Sequence, residues 1–184
     1  MDYRAHITHL MHSDALRMRA LAAVQSLALP DWLIAAGFVR NCIWDDTYAV
    51  QTPLNDIDVI YFCSKDTTKA RDEALEAQLR AELPQLPWSV KNQARMHLKH
   101  DDAAYRNTLD AMRHWPEKQT AIGVMLDTSG EVVVRHAFDL AYQFNGKIDH
   151  NSQRPLEVFQ ARVERKGWLQ QWPQLKCDTV GSHD

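Results

Sequence analysis

The chain has 184 residues, 45% of them hydrophobic and 24% charged, with six Trp, five Phe and five Tyr, enough to bury a core and too apolar for disorder. A net charge of −3 withholds the broad cationic field that nucleic-acid binders use, so no long duplex is expected as a partner. Cys42, Cys63 and Cys177 lack CxxC spacing, which excludes a zinc ribbon or redox dithiol, and no segment approaches the roughly 20 apolar residues of a membrane span, so no membrane and a cytoplasmic location are expected.

In chain order, His6, His9 and His12 repeat at threes in what reads as an exposed N-terminal segment with accidental spacing. Ser13 is placed to cap a helix from Asp14 to Leu27, with Leu16, Ala20, Ala23, Val24 and Leu27 on one face and Leu29-Pro30 ending it. The apolar run from Trp32 to Ala36 stops at Gly37 and predicts a buried strand, and Phe38 to Tyr48 predicts a helix. Gln51 to Asn55 is a loop, punctuated by Pro53 and Asn55. Asp56 to Phe62 is the clearest strand, rich in β-branched and aromatic residues. Thr67 to Leu83 predicts an amphipathic helix with Ala70, Ala74, Leu75 and Leu79 inward, and Trp88 to Asn92 predicts another strand. Asp101 to His114 reads as one polar helix. Ala121 to Leu126 and Glu131 to Val134 form a hairpin around Asp127-Thr128-Ser129-Gly130. A short helix over Ala137 to Phe144 and a longer one over Pro155 to Lys166, with Pro at its first turn, complete the order. Strands alternating with helices and then a hairpin predict an α/β (α+β) domain with a mixed sheet flanked by helices. The expected divisions are an N-terminal helical segment over 1–29 packed on the domain, the domain itself over 30–176, and a polar tail over 177–184.

Asp56 and Asp58 carry the chemistry. Residues two apart on a strand share a face, about 6.5–7 Å apart at Cα, so both carboxylates can converge on one cation. Unpaired, they would repel one another; Mg²⁺ removes that cost and brings phosphate oxygens with it. A lone D-x-D is more often a solvated strand end. Gly37 shifts the balance, because a glycine opening a helix lets a ligand approach the backbone, where free N–H groups receive phosphate.

The runs Ala35-Ala36-Gly37-Phe38-Val39-Arg40-Asn41 and Thr52-Pro53-Leu54-Asn55-Asp56-Ile57-Asp58-Val59-Ile60-Tyr61 resemble the polymerase-beta-like nucleotidyltransferase superfamily, and within it a bacterial branch of nucleotidyltransferase family proteins. The similarity continues through Trp88 to His97, Asp110-Ala111-Met112, Trp115-Pro116, Thr120 to Val124 and Trp172-Pro173. The resemblance implies the nucleotidyltransferase fold and a glycine motif after the first strand. It further implies two metal-binding acids on the second strand, often with a third acid on a neighbouring one. Asp56 and Asp58 match the pair, while Phe38 stands where Gly or Ser is usual, so the phosphate grip is expected from Arg40 and Asn41. No third acid is evident: the strand ending Lys91-Asn92 supplies none, and Asp127 and Glu131 sit at a hairpin turn.

The resulting expectation is a Mg²⁺-dependent enzyme with Asp56 and Asp58 as catalytic metal ligands. Gly37, Phe38, Arg40, Asn41, Asn55, Lys91, Asn92 and Arg95 surround the nucleotide. It would transfer a nucleoside monophosphate from an NTP to a hydroxyl on a small molecule or protein. The alternative is a nucleotide-binding or regulatory module of the same fold without catalysis. Trp115, Trp172 and Trp44 read as core anchors, and no Ser or Cys has a base partner for acyl transfer.

Overall fold

The structure, a computed structural model, describes residues 1–178. Its centre is a five-stranded sheet in the order β3-β2-β1-β4-β5. The strands are β1 (Leu33–Ala35), β2 (Ile57–Tyr61), β3 (Trp88–Asn92), β4 (Ile122–Leu126) and β5 (Val132–His136). Only β2 and β3 run parallel, with Asp58 opposite Ser89 and Ile60 opposite Lys91; β1 lies antiparallel to β2 and β4, and β4 to β5. The sheet is therefore mixed. The parallel pair needs a long crossover, which α4 (Lys69–Glu82) provides.

Strand alternation divides the side chains. Ile57, Val59 and Tyr61 enter the main core, with Ile34, Val90 and Val124 from neighbouring strands. Against this face pack α1 (Tyr3–His12), α2 (Ala15–Ser26), α3 (Gly37–Tyr48) and α4. On the opposite face Leu33, Ala35 and Ile60 meet Met112 of α6 (Thr108–Met112) and Ala121 in a smaller cluster. Asp58 shares that second face.

The N-terminal histidines lie on a helix that packs on the main core, within the expected helical segment. Asp2 caps α1, Ile7 and Met11 are buried beneath it, and His6 Nε2 lies 2.9 Å from Asp46. Asp14, not Ser13, caps α2, because Ser13 is occupied as the close of α1. In α4 the buried residues are Asp72, Leu75 and Leu79, whereas Ala70 and Ala74 face solvent. The expected helix over 101–114 is broken: α5 (His97–His100) ends at Asp101 with φ 55°, and α6 starts only at Thr108. Between them Asp102 is held by Arg154 and Tyr105, which fixes an irregular path. Of the segment 137–144, only Leu140–Phe144 is helical, as a 3₁₀ turn.

A second core sits beside the sheet. The helices α7 (Leu156–Lys166) and α8 (Trp168–Gln171) pack with a two-stranded parallel ribbon, β6 (Lys147–Asp149) and β7 (Lys176–Asp178). Trp44, Ile148, Phe159, Val163, Trp168, Trp172 and Leu175 fill it. Cys177 and Asp178, expected in the tail, belong to β7; the remainder of that tail lies outside the described residues. The helix α3 serves both cores, giving Phe38, Val39 and Ile43 to the first and Trp44 to the second. Among the described residues no helix is long and apolar enough to cross a membrane.

Candidate functional site

A cleft of about 100 Å³ opens where β1 hands over to α3. Its near wall is Ala36, Gly37, Arg40 and Asn41; Leu54, Asn55, Asp56 and Asp58 form its floor; Arg162, Lys166, Trp168 and Gln171 close it from α7 and α8. Thus the glycine motif and the acid pair, separate in sequence, meet in space. The handover requires Ala36 at φ 58°, ψ −126°, a conformation disfavoured for any residue with a side chain, and its N–H is anchored on the Ile122 carbonyl at 2.9 Å. A Cβ on Gly37 would lie 3.2 Å from Asn41 Nδ2 and 3.3 Å from Arg40 Nη2, so one of these side chains would have to give by a few tenths of an ångström. As the first residue of α3, Gly37 also presents helix N–H groups that have no partner within the helix.

The two acids differ in environment. Asp56 precedes β2 and its side chain is 61% exposed, with Lys166 Nζ 3.9 Å from Oδ2. Asp58 is half-buried in β2, and burial, reinforced by the charge of Asp56, raises its pKa; Lys91, Lys166 and Arg40 pull it back. Lys91 and Asp58 stand on the same face, because Lys91 faces Ile60 in register and Ser89 faces Asp58. A cation between the acids would relieve the same repulsion.

Arg40 is a buried cation with a fixed orientation. Its guanidinium lies 4.4 Å over the Trp168 ring and 5.1 Å over Trp44. It donates to Thr120 Oγ1 at 2.8 Å and, through Nε and Nη2, to Asn41 Oδ1 at 3.1 and 2.9 Å. Burial lowers its pKa to about 10, with Glu117 opposing, so it stays charged at neutral pH. Behind it, fully buried Glu117 accepts from Thr120 at 2.7 Å and from Arg162 Nε at 2.6 Å. One buried carboxylate therefore organises two guanidiniums at the cleft.

Three residues expected around the nucleotide are not brought to it. Phe38 is fully buried in the main core beneath Arg17. Asn92 is fully buried and its side chain is used locally, donating to the carbonyls of Cys63 and Asp66 and accepting from the N–H groups of Cys63 and Ala94. Arg95 pairs with buried Asp72, which also accepts from Tyr61 and the Asn92 N–H. All three belong to the helical side of the sheet, away from Asp58. Conversely, Thr120, Glu117, Arg162, Lys166, Trp168 and Gln171 were not among the expected site residues. The i, i+4 spacing of Arg162 and Lys166 marks a shared helix face, but no local signal says that this face meets Asp56.

Among the described residues no third acid joins the pair. Asp127 accepts from the N–H groups of Ser129 and Glu131 within its own turn, and Glu131 lies 3.5 Å from His12 on α1. Among the described residues, no group of three or more His, Cys, Asp or Glu is placed to hold a metal.

A mixed sheet with a glycine-opened helix facing an acid pair defines a nucleotidyltransferase-type protein. The chain belongs to the nucleotidyltransferase family: the family model described as Nucleotidyltransferase matches residues 22–177. No curated protein matches it. An NMR structure described as revealing a CCA-adding enzyme head domain is 30% identical, with a TM-score of 0.83 over 95% of each chain. A structure of a tRNA-processing enzyme complex shares the fold alone, at 12% identity and a TM-score of 0.51, over 86% of this chain and 43% of the other.

Proposed function

We propose that this chain transfers a nucleoside monophosphate from a Mg²⁺-bound NTP to a hydroxyl acceptor, releasing pyrophosphate. The observation that carries this reading is the meeting of Asp56 and Asp58 with the N-terminus of α3 in one cleft. Two carboxylates lining one cleft, one exposed just before β2 and one half-buried within it, are the hard oxygen donors Mg²⁺ takes alongside phosphate and water. When bound, the ion supplies charge stabilisation for the reacting phosphoryl group and the leaving pyrophosphate. Gly37 puts no side chain of its own between the phosphates and the helix N–H groups, and Arg40 and Asn41 flank that approach. Arg40, with three of its five N–H donors engaged, keeps two for a ligand. Arg162, Lys166 and Lys91 balance charge, and Asn41 and Asn55 line the wall and floor.

The acceptor is the open part of the proposal. Similarity to a CCA-adding head domain makes the 3′ hydroxyl of a tRNA the first acceptor to test, followed by small-molecule and protein hydroxyls. A net charge of −3 argues for contact with an end and not a long duplex. A second reading, a nucleotide-binding module, is favoured by one observation: Ser89 occupies the place opposite Asp58 where a third acid would stand. Lacking a general base commonly costs 10²–10⁴-fold in rate.

Isothermal titration of ATP, GTP, CTP and UTP, with and without Mg²⁺, tests the site. Wild type should bind at least one with Mg²⁺, and Asp56→Asn/Asp58→Asn should lose that dependence. Well-folded wild type that binds no nucleotide would refute the proposal. Binding without pyrophosphate release across the acceptor series would select the module.

A further inference from the structure

Three cations line the cleft, and they are not held alike. Arg40 lies against two indoles and is hydrogen-bonded on both edges, and Arg162 is doubly hydrogen-bonded to buried Glu117. Lys166 has neither kind of anchor: among the described residues its one ionic contact is with Asp56, at 3.9 Å, and its side chain is 40% exposed. Its backbone, in contrast, is fixed. Lys166 is the last residue of α7, Gly167 closes the helix at φ 65°, and Gln171 Nε2 donates to the Lys166 carbonyl at 3.0 Å. A pinned main chain with a free four-carbon stem lets the ammonium move while its root stays beside the cleft.

Resting on the nucleotidyl-transfer reading, we infer that Lys166 is a built-in stand-in for the metal. In the unliganded chain its ammonium neutralises Asp56; on arrival of the metal-bound triphosphate it yields the carboxylate and pairs with the phosphates. The charges require some such exchange. A divalent ion on Asp56 and an ammonium within salt-bridge range of the same oxygen repel each other, so both cannot occupy that position at full strength. The cleft, at about 100 Å³, is also below the roughly 300 Å³ typical of small-molecule sites, and Lys166 contributes to its closed side. The consequence is an order of events: metal alone binds weakly because it must displace Lys166, whereas metal with triphosphate binds well because the displaced ammonium gains a new anion.

The test uses Mn²⁺, read by electron paramagnetic resonance, with wild type, Lys166→Met and Lys166→Arg. Lys166→Met should bind Mn²⁺ alone about two- to fivefold more tightly than wild type, the scale of a partly exposed ion pair released from competition. The same variant should bind Mn·ATP more weakly, so the two affinities move in opposite directions. Lys166→Arg should keep wild-type behaviour in both. A merely structural lysine would move neither, or both together. Equal Mn²⁺ affinity in wild type and Lys166→Met overturns the inference even where Mn·ATP binds. Absence of ATP binding in all three proteins, with the Mn²⁺ difference intact, removes the nucleotide reading and leaves the competition at Asp56 standing.

Discussion

Asp58 is held in the fold at a cost. Its pKa is raised by burial and by Asp56, so the folded protein takes up its proton more readily than the unfolded chain does. The penalty is absent below the ordinary value of 3.8 and fully present once the folded-state group has ionised. Asp58→Asn should therefore raise Tm at pH 7, and the gain should vanish as the pH falls below about 4. A melting series from pH 3 to pH 8 on both proteins reads it; a gain that persists unchanged at low pH contradicts the assignment. At the same scale, the acid pair was legible because, by strand alternation, residues two apart at the start of a strand point the same way, and Asp56, one residue before β2, does line the cleft with Asp58. That alternation also required Lys91 and Asn92 to part, and only Lys91 shares the face of Asp58. Phe38 was misread for a related reason: a helix turns 100° per residue, so following a site glycine does not place a side chain in the site.

Among the elements, α7 contributes most that its sequence does not announce. Its amphipathic pattern and proline start were readable, and the helix spans Leu156–Lys166. Its partner was not, because the contact with Glu117 crosses 45 residues and no periodicity encodes it. Glu117 is fully buried and accepts from Arg162 and Thr120, and Thr120 in turn accepts from Arg40. Glu117→Gln would leave those guanidiniums without their counter-charge. A loss of about 3 kcal/mol in urea unfolding is expected, in line with breaking a buried pair from one side. Nucleotide affinity should fall with it, because Arg40 and Arg162 lose their common anchor. Glu117→Gln with wild-type stability would show that the pair contributes nothing. The broken helix over 101–114 makes the opposite point: its polar composition suits a helix, yet the Asp102–Arg154 pair claims the chain for another path.

For the molecule as a whole, the central sheet and its flanking helices were recoverable from strand signals and turn chemistry. The second core was not. Its strands β6 and β7 have three residues each, too few for alternation to register. It is joined to the first core through α3, where the Trp44 ring lies 5.0 Å from that of Trp172, and the Trp172 indole N–H donates to Asp45 at 2.9 Å. Trp172→Ala should cost about 3–5 kcal/mol, as expected for emptying a fully buried aromatic site. Because α3 belongs to both cores, far-UV dichroism and tryptophan fluorescence should still report one transition in denaturant. Two separated transitions would mean that the cores unfold independently.

The division of the cleft between distant stretches of chain bears on how it comes into being during synthesis. The ribosome delivers Asp56 and Asp58 about a hundred residues before Lys166. All five strands of the central sheet precede α7 in sequence, so a nascent chain can pair β2 with its neighbours before α7 has left the ribosome. Throughout that interval the acid pair faces the solvent without Arg162 or Lys166, open to whichever divalent ion the surroundings offer. The emergence of α7 then adds Lys166 to the counter-charge that Arg40 and Lys91 already supply, so the cleft acquires its full resting electrostatic balance late in the life of the nascent chain.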